Sequence, residues 1–219
     1  MNFEDGTLSF LTLGQDLLTM SGTASHKPAY AKVVRAMKLA STNGLQYIWI
    51  DTLCIDKSSS ADLSEAINSM FKYYSDAPVC YIYLSDIASA DAAILATARW
   101  WNRGWTLQEL LGPSFAVFYT SEWQKIGTRD EIANAISKVT GIERQYLVDS
   151  SRNHEVVQTA SVAKRMSWAA QRKTGRSEEP AACDSIHTLV TRKLLAFAAS
   201  HCASHQTVAS VFTIISSGN

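Results

Sequence analysis

The chain predicts an α/β fold, an open and mainly parallel sheet flanked by helices in three layers, and three observations predict it. Short apolar runs at residues 47–50 (YIWI), 79–84 (VCYIYL) and 115–119 (FAVFY) lack strict alternation, as strands covered on both faces do. Helical periodicities lie between these runs, giving the strand, crossover helix, strand pattern of a parallel sheet. Right-handed crossovers then place helices on both faces.

In chain order, residues 1–27 are rich in Thr, Ser and Gly, and their apolar patch at 8–13 reads either as a short strand or as a capped turn. Residues 28–40 carry Tyr30, Val33, Val34, Met37 and Leu39 at helical spacing, with Pro28 in the first turn and Asn43-Gly44 as the stop. The run 47–50 then reads as a central parallel strand ending at Asp51. Ser58, Ser59 and Ser60 with Asp62 open the clearest amphipathic helix, whose apolar face is Leu63, Ile67, Met70, Phe71 and Tyr74. Pro78 follows, then the strand 79–84 closed by Ser85-Asp86. An alanine-rich connection leads to Arg99-Trp100-Trp101-Asn102-Arg103-Gly104-Trp105 and a short helix through Leu111, stopped by Gly112-Pro113. After the strand 115–119 the pattern beyond Trp123 is helical, over 129–139 and 156–171. No later strand is expected before 208–215, and 189–199 has helical composition.

Composition excludes several function classes. Twenty Lys+Arg balance 20 Asp+Glu in 219 residues, and no run of like charge stands out, so a phosphate-driven nucleic-acid partner is not expected. No apolar stretch reaches the roughly 18–20 residues of a membrane span, and the acidic N-terminus MNFEDG is unlike a secretory signal, so no membrane is expected and the expected compartment is the cytoplasm. Cys54, Cys80, Cys183 and Cys202 form no metal-binding or disulfide spacing, and Cys54 and Cys80 read as small core hydrophobes. No metal site, glycine-rich phosphate loop, GxSxG elbow or HExxH is present in the sequence.

Ligands in open parallel sheets bind beyond the carboxyl ends of the strands, which selects Asp51, Asp56, Ser85, Asp86 and the helix after Trp105. Asp51 and Asp56 suit an acid-base pair or a cation site, but strand-end aspartates more often cap the next turn. Glu109 sits just after Arg99, Arg103 and three tryptophans, where a partly desolvated carboxylate would act on a sugar hydroxyl or stabilise an oxocarbenium-like centre. Spacing alone favours a salt bridge to Arg103 or an exposed helical glutamate. Cys54 has no histidine near it in sequence to serve as the base of a nucleophile.

Four stretches carry a family resemblance: YIWIDTLCIDKSSSADLSEAINSMFKYYSDAPVCYIYLSD (47–86), RWWNRGWTLQELLGPSFAVFY (99–119), SEWQKIGT (121–128) and VAKRMSWAAQRKTGRSEE (162–179). In this order they resemble the successive motifs of the fungal heterokaryon incompatibility domain, the HET domain. The resemblance implies a role in non-self recognition and programmed cell death, and a protein partner or self-association. HET domains are similar in turn to TIR domains, of flavodoxin-like architecture, and Trp105-Thr106-Leu107-Gln108-Glu109-Leu110 resembles the TIR pattern W-C-x-x-E-L. That likeness implies Glu109 as the catalytic carboxylate cleaving the nicotinamide-ribose bond of NAD; Asp51 and Asp56, selected by the strand-end rule, and Trp105, ahead of the helix, are the candidate cofactor-binding residues beside it.

The likeness also sets expectations for the two ends. The family's first strand ends in a motif like S-H-x-W-G, which Thr7-Leu8-Ser9-Phe10-Leu11 does not reproduce, so a central strand is expected to be missing. The resemblance stops near Glu179, dividing the chain into a HET domain at 1–179 with extra C-terminal helices and a divergent tail at 180–219. Two functional classes follow: a NAD-cleaving enzyme, or a non-enzymatic signalling module or inactive truncated relative.

Overall fold

A computed structural model describes residues 11–12, 28–55, 59–148, 153–173 and 213–217. Strand β1, Leu11–Thr12, precedes helix α1, Pro28–Thr42, whose inner face buries Val33, Ala36, Met37 and Ala40. The helix stops where the sequence predicts: Asn43 and Gly44 close the last turn, and Gly44 takes φ 73°, the left-handed conformation that favours glycine.

The run expected as a central parallel strand does something else. Only Tyr47–Ile48 forms a strand, β2, and it pairs antiparallel with β1 in a separate two-stranded sheet. Residues that follow enter a short helix, α2, Asp51–Cys54, so Asp51 starts a helix instead of ending a central strand. The burial inferred from the unbroken apolar pattern nevertheless holds, since Ile48, Trp49 and Ile50 are all buried. Apolarity reported burial, and the pairing partner was β1 in a separate sheet.

Helix α3, Ser60–Asp76, leads to strand β3, Val79–Tyr83. A single turn, α4, Ala92–Leu95, and a 3-10 turn at Arg99–Asn102 precede α5, Thr106–Leu111, and strand β4, Ala116–Tyr119. Strands β3 and β4 pair in parallel, Cys80 opposite Ala116 and Tyr83 opposite Tyr119. Their alternation sorts the core into two layers. Cys80, Ile82, Ala116 and Phe118 pack with residues of α3 and α5 on one face. Tyr81, Val117 and Tyr119 pack with α1 on the other. Both faces are therefore covered by helices, which is why these strands read as continuous apolar runs.

Strand β5, Lys125–Thr128, was not expected, because four residues including a glycine carry too little alternation to stand out. It joins β4 antiparallel, adding one antiparallel edge strand to a sheet whose other described pairings are parallel. The turn into it holds Trp123 at φ 61°, a conformation costing a bulky residue about 1–3 kcal/mol, compensated by stacking on Tyr83 at 4.9 Å between centroids. The last described strand, β6, Thr213–Ser217, runs parallel to β3 on the side away from β4, giving the order β5-β4-β3-β6. The position beside β3 is thus filled from the stretch read as a divergent tail. The candidate helix at 189–199 lies outside the described residues.

Two helices replace the single one expected over 156–171: α7, Asn153–Thr159, and α8, Val162–Ala169. Ser161 makes the break by capping α8, its Oγ accepting from Lys164 N at 3.2 Å. Helix α6, Ala133–Thr140, begins four residues later than the pattern suggested, because Thr128 to Ile132 forms a turn in which Glu131 accepts from Thr128 N at 2.7 Å. Among the described residues no helix is long and apolar enough to cross a membrane.

The tightest backbone approach lies where α5 meets α3. A Cβ on Gly112 would stand 2.7 Å from Tyr74 Cβ and 2.8 Å from the Gln108 carbonyl oxygen. Gly112→Ala is expected to lower stability by about 1–3 kcal/mol, read from the midpoint of chemical denaturation. Arg129, 1% exposed, donates to the carbonyls of Leu147, Leu110, Pro113 and Ser114. Arg129→Met would leave those carbonyls without their donor and is expected to cost about 3 kcal/mol or more by the same measurement.

Candidate functional site

The site is assembled around α5, a six-residue helix whose residues are all buried. Ahead of it, the 3-10 turn buries Trp100 and Trp101, which meet edge to face at 4.8 Å and both pack on Phe118 of β4. Trp101 is committed to structure, since its indole donates to the Leu95 carbonyl at 2.7 Å. Trp100 is committed to Glu109: its Nε1 donates to Glu109 Oε2 at 3.0 Å. The Tyr74 hydroxyl of α3 is hydrogen-bonded to the same carboxylate. Burial first, and the Glu109 charge second, push the Tyr74 phenol well above its ordinary range, so it is protonated at neutral pH and can serve as a donor.

Glu109 is 6% exposed, so it is neither an exposed helical glutamate nor a surface group. It is held by two donors belonging to different elements, and further charge gathers nearby. Burial lowers the Lys32 ammonium of α1, while Asp51 and then Glu109 pull it back up and Arg103 opposes them. The structure therefore brings Asp51 and Glu109 into one electrostatic neighbourhood, 58 positions apart in sequence and linked through a lysine that sequence reasoning did not single out. Lys32 carried no local signal; it lies on an amphipathic helix among ordinary polar positions.

A cleft opens beyond the carboxyl end of β3, lined by Tyr83, Ser85, Asp86, Arg99, Trp100 and Arg103 among others. This is where the strand-end rule pointed. Asp86 has a structural task there, accepting from Arg99 N at 2.8 Å and Arg99 Nε at 3.3 Å and so fixing the start of the 3-10 turn. Trp100 belongs to the cleft lining and also donates to Glu109, so it connects the two. Glu109 itself is not among the lining residues.

The other predicted residues are distributed unevenly. Trp105 precedes α5 and packs, partly exposed, against the main core, away from the cleft lining. Asp56 lies outside the described residues. Cys54 behaves as a packed thiol: burial raises it to about 11, and its sulfur accepts from Ile50 N at 3.4 Å. A thiol this hard to ionise is a poor nucleophile at neutral pH. Among the described residues no group of three or more His, Cys, Asp or Glu is arranged to hold a metal ion.

The residue that sequence reasoning missed most clearly is Arg172, just past α8. Its Nη1 donates to Thr106 Oγ1 at 2.6 Å and to the Arg103 carbonyl at 3.2 Å, and its Nε to the Trp168 carbonyl at 3.3 Å. The only available signal was an arginine following an amphipathic helix, which ordinarily marks a solvated end.

Comparison with known proteins adds two findings. Residues 14–96 match the family described as Heterokaryon incompatibility protein (HET). The chain is also similar to the Vegetative incompatibility protein HET-E-1 of Podospora anserina, 40% identical over 169 residues; the match covers 73% of this chain and 12% of that protein. No solved structure matches. The two findings together support the heterokaryon incompatibility (HET) family for this chain, with the family segment at residues 14–96.

Proposed function

We propose that the chain acts in fungal non-self recognition, as a HET-family effector of programmed cell death that hydrolyses NAD through Glu109. The observation that carries this reading is the setting of Glu109: a buried carboxylate accepting from Trp100 Nε1, where Trp100 also lines the cleft beyond β3. The reading takes residues 1–179 as a TIR-like domain in the cytoplasm, working with a protein partner or a second copy. Asp51 is its second carboxylate near Lys32, and Asp56 and Trp105 are assigned to the nucleotide side.

The chemistry follows from the carboxylate. Glu109 engages the ribose hydroxyls; the electron pair of the C1′–N bond leaves with nicotinamide, and the carboxylate stabilises the positive charge that develops on the ribose. A water oxygen then adds to C1′ and releases a proton, giving ADP-ribose and nicotinamide. Trp100 stands at both the cleft and the carboxylate, and its indole N–H holds Glu109 Oε2 in place beside the cleft. Arg103, in the cleft lining, is positioned to meet an anionic group of the substrate.

One observation favours a second reading. Glu109 is buried and absent from the cleft lining, as a purely structural acid would be. On that reading the chain is a non-enzymatic module that self-associates or docks on a partner.

Nicotinamide release from NAD by the purified chain separates the two. Wild type is expected to release nicotinamide, and Glu109→Gln to reduce the rate by about 100-fold or more. No release by wild type where an active TIR enzyme releases it, or equal activity of the variant, overturns the enzymatic reading. Cell-death activity that survives Glu109→Ala, together with concentration-dependent assembly, would establish the module.

A further inference from the structure

The entry to α5 is stitched to the chain after α8 by more than one bond. Gly104 N donates to the Lys173 carbonyl at 3.0 Å and Lys173 N to the Asn102 carbonyl at 2.6 Å, forming an isolated parallel bridge between Arg103 and Lys173. Beside this backbone pair, the Arg172 guanidinium spans Thr106 Oγ1 and the Arg103 carbonyl. Thr106 in turn sits within 2.8 Å of the Trp100 carbonyl, so one hydroxyl links Arg172 to the backbone of the residue that donates to Glu109. Trp105, at the cap position of α5, makes no side-chain cap bond, and the start of the helix is held instead by Thr106 Oγ1, which donates to the Trp100 and Arg103 carbonyls and accepts from Arg172.

We propose that Arg172 is a positioning residue for Glu109, fixing the start of α5 and the Trp100 backbone so that the indole and the carboxylate meet. A six-residue helix has little intrinsic stability, and its orientation depends on what holds its ends. At its far end Arg129 donates to the Leu110 carbonyl; at its near end the donor is Arg172. Arginine suits this task because its planar fork reaches a hydroxyl and a carbonyl at once, which a lysine ammonium matches poorly. The two charges also sense one another: burial holds the Arg172 guanidinium down at about 10, and Glu109 pulls it back up. The role in NAD cleavage rests on the function proposed above; the role in geometry does not.

The test reads geometry and activity separately. In 1H-15N spectra of the full chain, the Trp100 indole N–H, identified by its loss in Trp100→Phe, reports its bond to Glu109, and Glu109→Gln sets the scale of its displacement. The Trp101 indole, bonded to the Leu95 carbonyl, is the internal control. Arg172→Met is expected to move the Trp100 signal by at least half of that displacement while leaving the Trp101 signal in place, and Arg172→Lys to move it less. If wild type cleaves NAD, Arg172→Met is further expected to lower kcat by about tenfold or more with KM within about twofold, as misplacement of a reacting group does. An unmoved Trp100 signal in Arg172→Met, or in Arg172→Lys where the Met variant does not fold, overturns the proposal. So does loss of the Trp101 signal in both variants, which would make Arg172 a general structural clamp. Absence of NAD cleavage by wild type defeats the enzymatic reading alone and leaves the spectral result standing.

Discussion

The architecture around Glu109 depends on one buried guanidinium. Arg129 lies just past β5, yet four hydrogen bonds from its guanidinium reach carbonyls at Leu110, Pro113, Ser114 and Leu147, which belong to the end of α5, the loop after it and the turn before α7. Burying an arginine is costly: desolvation drops its pKa to about 10, with Asp130 pulling it back up. The cost is offset by charge-assisted hydrogen bonds, three of them to the buried carbonyls of Leu147, Leu110 and Pro113. A helix of six residues can thereby hold a fixed place in the core, with its length defined on one side by Gly112 and on the other by Trp105.

From that anchor the rest follows by packing. Strand β3 faces two layers: Cys80 and Ile82 look toward α3 and α5, and Tyr81 toward α1. The layer containing α5 brings Tyr74 and Trp100 to one carboxylate; the α1 layer supplies Lys32 and, through the Tyr83–Trp123–Tyr119 aromatic contacts, a firm wall at the strand ends. The site is thus made of groups from both faces of the sheet meeting at its carboxyl edge. Neither layer alone would gather Lys32, Asp51 and Glu109 into mutual electrostatic range.

Buried polar groups in this region fall into two kinds. Trp101 and Thr106 donate to backbone carbonyls, which makes them parts of the frame. Glu109 and Trp100 are directed at each other across the boundary between core and cleft. A side-chain pair of this kind contributes less to holding the backbone than a carbonyl clamp does, and its presence beside a cleft is what distinguishes it chemically from the frame.

Local pattern was enough to locate α1, α3, β3, β4 and the short helix with Glu109, because each has apolar spacing and a stop signal within a few residues: Asn43-Gly44, Pro78, and Gly112-Pro113. It also marked Glu109 as a carboxylate among aromatics, and marked Cys54 and Cys80 as packed thiols. It did not reveal β5, whose four residues are a strand only because β4 offers an edge, nor the antiparallel pairing of β2, nor the break at Ser161 that splits the later helices. The amino-acid sequence by itself determined which residues must be buried and where the chain must turn, since hydrophobic periodicity and glycine or proline conformations are properties of neighbouring residues. Only the tertiary structure decided which edge each strand joins, that Arg129 and Arg172 close the two ends of α5, that Tyr74 meets Glu109 and that Lys32 feels the charges of Asp51 and Glu109, because those facts are pairings between residues far apart in the chain and are settled by the mutual fit of layers.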